Sequence, residues 1–331
     1  WDLRWEDLKR VPVYLPSTAD QREIVAFLES VNRAVNSLIR AKRRQIELLN
    51  EQKQAIMSRA VTRGLNSNVR LKPSGLDWLG DIPYHWEPTR LKYVADVQTG
   101  VTLGKKYGDT PLETRPYLRV ANVQDGHLEL ADIATVSVSQ SEVDGCGLRN
   151  GDVLMTEGGD IDKLGRGCIW RDEIPGCLHQ NHIFAVRARR AVLLPEYLVL
   201  AMSSVHGRSY FEMTAKQTTN LASTNSTTLK ALPLFLPGMQ EQTNIVGYAA
   251  EQTSGLETAV QRILTEVDLL REYRTRLIAD VVTGKLDVRG VELPDLEGAD
   301  IADDLGDSDF GSDTDQDDLP DAEEVEADDE D

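Results

Sequence analysis

Pro12-Val13-Tyr14-Leu15-Pro16 and Pro233-Leu234-Phe235-Leu236-Pro237 are two versions of one phrase, set 221 residues apart. The register then holds without a gap through Gln21/Gln242, Ile24/Ile245, Val25/Val246, Leu48/Leu269, Leu49/Leu270, Glu51/Glu272, Val61/Val282, Thr62/Thr283 and Leu65/Leu286. Self-similarity held over that length marks a repeated structural unit. Each copy reads as a short apolar strand closed by Pro, a helix start, and a long helix. Ser17 and Gly238 take the N-cap place, and Asp20 and Glu241 follow three residues on, where a carboxylate suits the positive end of a helix. These acids are read as ordinary capping, with no chemistry of their own.

In the first copy Ile24, Phe27, Val31, Ala34, Leu38, Ala41, Leu48 and Ala55 follow the 3-4 spacing of a heptad seam, with Leu28, Val35, Leu49 and Ile56 broadening it. The second copy does likewise with Ile245, Tyr248, Leu256, Ala259, Ile263, Leu269, Leu270 and Leu277. Each helix can run about 40 residues, or roughly 60 Å at 1.5 Å per residue. Residues 20–65 hold 9 basic and 5 acidic side chains, and residues 241–286 hold 5 and 7, so the helices carry opposite net charge. That complementarity makes them each other's partners, although a charged face also serves simply as a solvated one.

The chain has 331 residues and a formal charge of −19, long enough for two domains or one large one. The charge is concentrated. Residues 292–331 contain 20 acidic side chains and no Lys or Arg, which leaves 35 acids against 36 bases in residues 1–291. A segment so acidic, interrupted by Gly, Ser and Pro, is expected to be disordered, because it cannot bury enough apolar surface to offset chain entropy. Cys146, Cys168 and Cys177 are odd in number and lack the spacing of a zinc site or a disulfide framework, so a reducing, cytoplasmic setting fits. No apolar run is long enough to span a membrane. Trp1-Asp2-Leu3-Arg4 is neither a signal peptide nor an initiator Met, and reads as the interior of a longer product or an incomplete reading frame.

Residues 66–232 are a different kind of sequence, with turn signals throughout, short runs such as Tyr117-Leu118-Arg119-Val120 and Asp152-Val153-Leu154-Met155, and a helix expected from Pro195 to Ser204. They predict a compact α+β domain. With 18 basic and 19 acidic side chains, any DNA-facing surface on it has to be local. The candidates are Lys105, Lys106 and Tyr107; Lys163, Arg166 and Arg171; Gln180 and Asn181; and Lys216, Gln217, Thr218, Thr219 and Asn220. Each has a plainer rival: two lysines also make an ordinary exposed turn, and Thr/Asn strings are common in loops. His179 and His182 stand three apart, but no Cys or carboxylate completes a metal set at suggestive spacing, so they read as packing or polar support. Trp78 and Trp86 read as core.

Catalytic signatures are missing. The chain has no Gly-x-x-x-x-Gly-Lys-Ser/Thr phosphate loop, no Asn-Pro-Pro-Tyr tetrapeptide of adenine methyltransferases, and no glycine-rich dinucleotide turn after a clear strand. Asp160-Ile161-Asp162-Lys163 has a nuclease flavour, but the acid-x-Lys spacing is wrong.

Read in order, a set of motifs resembles one family, the specificity subunits of type I restriction-modification systems. These motifs are Leu15-Pro16-Ser17-Thr18-Ala19-Asp20-Gln21-Arg22-Glu23-Ile24-Val25 with its second copy before a long helix; Lys72-Pro73-Ser74-Gly75 with Trp78-Leu79-Gly80-Asp81-Ile82-Pro83 and His85-Trp86; Tyr117-Leu118-Arg119-Val120-Ala121-Asn122-Val123; Gly151-Asp152-Val153-Leu154 with Gly158-Gly159-Asp160; His179-Gln180-Asn181-His182-Ile183; and Lys216-Gln217-Thr218-Thr219-Asn220-Leu221. The resemblance covers everything except the acidic tail. It implies two target-recognition domains, each followed by a long helix, the helices packing as an antiparallel coiled coil. It also implies a chain that performs no catalysis and binds no cofactor. Double-stranded DNA, methyltransferase (modification) subunits and a restriction/translocase subunit would be its partners; S-adenosylmethionine would come with the methyltransferase, and ATP and Mg²⁺ with the motor.

This chain departs from the pattern in having one whole recognition domain. The expected organisation is a remnant of a first domain over 1–16, a first spacer helix over 17–65, the recognition domain over 66–237, a second spacer helix over 238–288, and the acidic tail over 289–331. Two other readings stand beside it: a half-subunit that homodimerises to read an interrupted palindrome, and a stand-alone metal-dependent DNA nuclease.

Overall fold

The computed structural model describes residue 9 and residues 15–159, 161, 164–217 and 221–291. The expectations for 1–16 (all but residues 9, 15 and 16) and for the acidic tail from 292 onward lie outside the described residues. So do Asp160, Asp162, Lys163, Thr218, Thr219 and Asn220. The chain divides into two compact units, Trp1–Ser37 with Asp287–Asp331, and Leu38–Leu286.

Helix α1 (Thr18–Arg63) starts as its sequence directs: the Ser17 hydroxyl accepts the Asp20 backbone N–H at 3.2 Å and donates to the Asp20 carboxylate at 2.7 Å. None of its 46 residues is Gly or Pro. It stops at Gly64, which takes a left-handed φ of 70° and donates its N–H to the Ala60 carbonyl at 3.2 Å.

Strands β1 (Leu71–Pro73) and β2 (Asp81–Pro83) form an antiparallel hairpin. After it come β3 (Glu87–Arg90), the single turn α2 (Leu91–Val94), β4 (Ala95–Thr99), β5 (Leu112–Leu118), β6 (Ala134–Ser139), α3 (Gln140–Cys146), β7 (Asp152–Thr156), β8 (Gly158–Gly159), β9 (Gly167–Ile169), β10 (Leu178–His179) and β11 (Ile183–Ala188). The body ends with α4 (Pro195–Ser203), α5 (Val205–Thr214), β12 (Lys216–Gln217), β13 (Ala222–Ser223), α6 (Ser226–Ala231) and β14 (Pro233–Leu236), which pairs back onto β3 before α7 (Met239–Val282) leaves.

The central sheet has the order β4-β11-β7-β9 and is antiparallel throughout. Its two middle strands bury both faces, which is why they read as continuous apolar runs. Val153, Met155, Phe184 and Val186 face one core, shared with Trp86, Phe211, Ala60 and Val61 of α1 and Ile245 of α7. Leu154, Ile183 and Ala185 face a second, with Leu118, Cys168, Trp170 and Cys177. The three-stranded sheet β10-β5-β6 closes that side. A bidentate ion pair anchors the sheet: Arg187 donates to the buried Asp152 carboxylate at 2.8 and 2.7 Å.

The mixed helix and strand class and the helix at α4 match the expectation, and Trp86 is core. Trp78 is not: it is 38% exposed and stacked on the His206 ring at 4.9 Å. The seams also shift. On α1 the inward stripe runs through Val35, Ile39, Lys42, Ile46, Leu49, Lys53, Met57 and Ala60, while Leu38, Ala41, Leu48 and Ala55 are exposed. Lys42 and Lys53 are the reason, since long lysine stems cover apolar surface while their heads reach out. The two heads meet Glu266 and Glu257 of α7, each at 2.7 Å, so the partners run in opposite order along the two helices. On α7 the buried positions Gln242, Ile245, Ala249, Thr253, Ile263, Val267, Leu277 and Val281 define the stripe, and Tyr248 and Leu269 point outward.

Candidate nucleic-acid interface

The tight connection between β10 and β11 carries Gln180, Asn181 and His182. Its backbone is pinned on every side: Gln180 N–H donates to Leu118 at 3.0 Å, Asn181 N–H to Val101 at 3.0 Å, and Ile183 N–H to Gln180 at 2.9 Å. His179 closes the turn from inside. Its Nδ1 donates to the Ile183 carbonyl at 2.9 Å, and burial pushes its pKa down to about 4, so the ring is neutral. His182 instead faces solvent, with Nδ1 on the Glu157 carboxylate at 2.7 Å. The two histidines thus serve different partners, one structural and one exposed.

Glu157 ties this turn to a second element. Its N–H donates to the His182 carbonyl at 2.8 Å and its own carbonyl accepts Thr224 N–H at 2.9 Å. The ribbon β8-β13-β12 continues from there, with the exposed Lys216 and Gln217 on its outer strand. Gln180, Asn181, His182 and Glu157 therefore share one edge of the body with Lys216 and Gln217. Gln180 uses its Oε1 to accept Val120 N–H at 3.3 Å, and the Asn181 amide lies 3.5 Å from His182 Nε2.

Three other predicted cations are already engaged within the fold. Lys105 reaches Glu142 at 3.2 Å and lies 5.8 Å from the Tyr107 ring centre; burial and then the Glu142 hydrogen bond push the Tyr107 hydroxyl up to about 12. Arg166 pairs with Asp125 at 3.7 Å and Arg171 with Glu196 at 3.0 Å. Lys106 is exposed, beside this cluster. Sequence reasoning missed a second cationic place. Arg70 and Lys72 both lie against the Tyr84 ring, at 4.6 and 5.5 Å from its centre; the signal available was the alternation Arg70-Leu71-Lys72 along a strand.

The body is fixed to α7 by Gln242, which is fully buried. Its amide accepts Leu194 N–H at 2.9 Å and donates to the Val192 carbonyl at 2.8 Å and the Pro237 carbonyl at 3.0 Å. Its counterpart in the first copy, Gln21, repeats the last of these bonds, to Pro16 at 2.9 Å. Glu241 does more than cap: it accepts from Trp86 Nε1 at 3.2 Å and pairs with His85 at 2.8 Å. Among the described residues no group of three or more His, Cys, Asp or Glu is placed to hold a metal, and no helix is long and apolar enough to cross a membrane.

No protein-family model matches the chain. Curated relatives do. The EcoKI specificity subunit of Escherichia coli K12 is 25% identical over 304 residues, covering 88% of this chain and 61% of its own length. The StySPI specificity subunit of Salmonella potsdam is 25% identical over 296 residues, with 88% and 60% covered. The MjaVIII specificity subunit of Methanocaldococcus jannaschii is 21% identical over 288 residues, with 86% and 64% covered. The chain spans about three fifths of the length of these relatives. Among solved structures, a chain from work on complex assembly and conformational transition of the type I R-M system matches 83% of this chain and 62% of its own, with a TM-score of 0.58 and 19% identity, a likeness of fold. Over most of its length, the chain is similar to the specificity subunits of type I restriction enzymes.

Proposed function

We propose that this chain is the non-catalytic DNA-recognition subunit of a type I restriction-modification complex. Its recognition body, 66–237, reads one half of a bipartite double-stranded target, and its helical segments, 17–65 and 238–288, serve as spacer and scaffold. The similarity to specificity subunits, sustained over 88% of the chain, carries this reading. The opposite order of the Lys42–Glu266 and Lys53–Glu257 pairs supports an antiparallel coiled coil, as does the 3-4 stripe on α7.

Amide side chains on a rigid turn suit direct reading, because Asn and Gln can pair bidentately with adenine in the major groove, while lysine contacts phosphate. Gln180, Asn181, Lys216 and Gln217 take these roles, with Lys106, Lys163 and Thr218 to Asn220 as further contacts. The spacer helices fix the distance to a second half-site, one DNA turn being about 34 Å. Methyl transfer and cleavage then belong to modification and restriction subunits, which bring S-adenosylmethionine, ATP and Mg²⁺. A protein that reads chromosomal and invading DNA works in the cytoplasm.

Reconstitution with methyltransferase subunits tests this reading. The complex should prefer one duplex sequence over scrambled controls, and the chain alone should leave DNA intact in Mg²⁺. Equal binding to all sequences, or cleavage by the lone chain, would overturn it.

A further inference from the structure

Arg70 and Lys72 stand two residues apart on one side of the β1–β2 hairpin, so their side chains leave the same face. The register Leu71↔Pro83 continues one step outward, where Tyr84 N–H donates to the Arg70 carbonyl at 2.7 Å. Tyr84 therefore lies across from Arg70 and beside Lys72, and the residue is 54% exposed. The Arg70 guanidinium carbon is 4.6 Å and the Lys72 ammonium 5.5 Å from the ring centre.

Two like charges converging on one ring repel each other. The aromatic face offsets part of that cost, and an anion between them would remove the rest. Elsewhere in the body, Lys105, Arg115, Arg119, Arg166, Arg171, Arg187 and Arg189 each have a carboxylate within ion-pair distance. Arg70 and Lys72 have none among the described residues, although Asp81 lies on the same hairpin, opposite Pro73; Lys92, Arg149 and Lys230 lack one as well, but among the described residues only the Tyr84 ring has two cations against it. A planar guanidinium fork, a point-charge ammonium and a phenol are together the inventory that grips a phosphodiester.

The hairpin is rigidly set. Ile82 and Trp86 are fully buried in the core that also holds the face of the central sheet, and the Trp86 indole N–H is held by Glu241 at the start of α7. It thus belongs to the end of the body that α7 meets.

Resting on the DNA-reading function, we infer that Arg70, Lys72 and Tyr84 form a phosphate clamp that grips the DNA backbone. It contributes affinity without sequence preference.

The test uses the complex of the full chain with methyltransferase subunits, on cognate and scrambled duplexes, across about 50 to about 300 mM salt. For the doubly substituted Arg70→Gln, Lys72→Gln chain, the slope of log K against log salt should be shallower by about two, since each phosphate contact contributes about 0.9. Affinity for both duplexes should fall by the same factor, tenfold or more near about 150 mM salt, with the cognate preference kept. Arg70→Lys should keep the slope. Arg70 is exposed and Lys72 half-buried, and an unchanged near-UV spectrum checks the fold. An unchanged slope in a complex that still prefers its cognate site overturns the clamp alone. An unchanged slope with weakened methyltransferase association would assign the patch to an acidic protein surface and also overturn it. A wild-type complex with no sequence preference defeats the DNA-reading function itself, and the clamp with it.

Discussion

Replacing Gln242 with Met keeps most of the side-chain volume and removes three hydrogen bonds, those to Leu194 N–H, the Val192 carbonyl and the Pro237 carbonyl. A neutral hydrogen bond contributes about 1 kcal/mol net, and a buried group left unpaired costs about 1–3 kcal/mol. Gln242 is fully buried, so the loss should be about 3 kcal/mol. The repeat provides an internal control. Gln21 occupies the same place, is only partly buried, and makes the single bond to Pro16, so Gln21→Met should lose about 1 kcal/mol or less. Urea denaturation followed by Trp fluorescence reports on this, because Trp86 and Trp170 are buried in the body. The expected difference of about 2 kcal/mol corresponds to a several-degree gap in Tm. Equal losses at the two glutamines would refute the claim that Gln242 fastens the segment at Val192 and Leu194 to α7.

Three further outcomes are expected. His179 should make stability sensitive to acid. Its folded pKa, about 4, is below the unfolded value of about 6.5, so under pH 6.5 the unfolded chain takes up a proton that the folded chain refuses. Stability is therefore lost as pH falls from about 6.5 to about 4, by about 3 kcal/mol in all, and denaturation of a His179→Gln chain should show a flatter pH profile over that range. Gly165→Ala should destabilise by about 2 kcal/mol or more, because Gly165 has φ +80° and a Cβ there would lie 2.2 Å from the buried Phe211 ring; thermal melting checks it. Exchanging charges as Lys53→Glu with Glu257→Lys should restore a melting point that either single reversal lowers, and the effect should shrink in high salt.

The repeat made much of this architecture readable, since α1 and α7 begin at Thr18 and Met239, the same 221 residues apart as the two Pro phrases. The doubly buried strand β7 was legible as the run Asp152 to Met155, because both faces demand apolar residues. The helix seam was not, because Lys42 and Lys53 look polar in sequence while their stems lie along the stripe. Charge pairing was equally hidden. Lys105, Arg166 and Arg171 look free until folding brings Glu142, Asp125 and Glu196 to them. Glu241 looked like a capping acid, and only the fold supplies His85 and Trp86 from more than 150 positions away. The grouping of Gln180 and Asn181 with Lys216 and Gln217 depends on the link through Glu157 and Thr224, which no local pattern encodes.

Selection of bound duplexes from a randomised pool, using the reconstituted complex, addresses the central claim most directly. The account predicts enrichment of a few fixed base pairs, and a changed or relaxed preference at one of them when Asn181 is replaced by Ala, a cost of about 1–3 kcal/mol for a lost bidentate contact. A pool that stays random, or an enriched sequence indifferent to Gln180, Asn181, Lys216 and Gln217 alike, would contradict it.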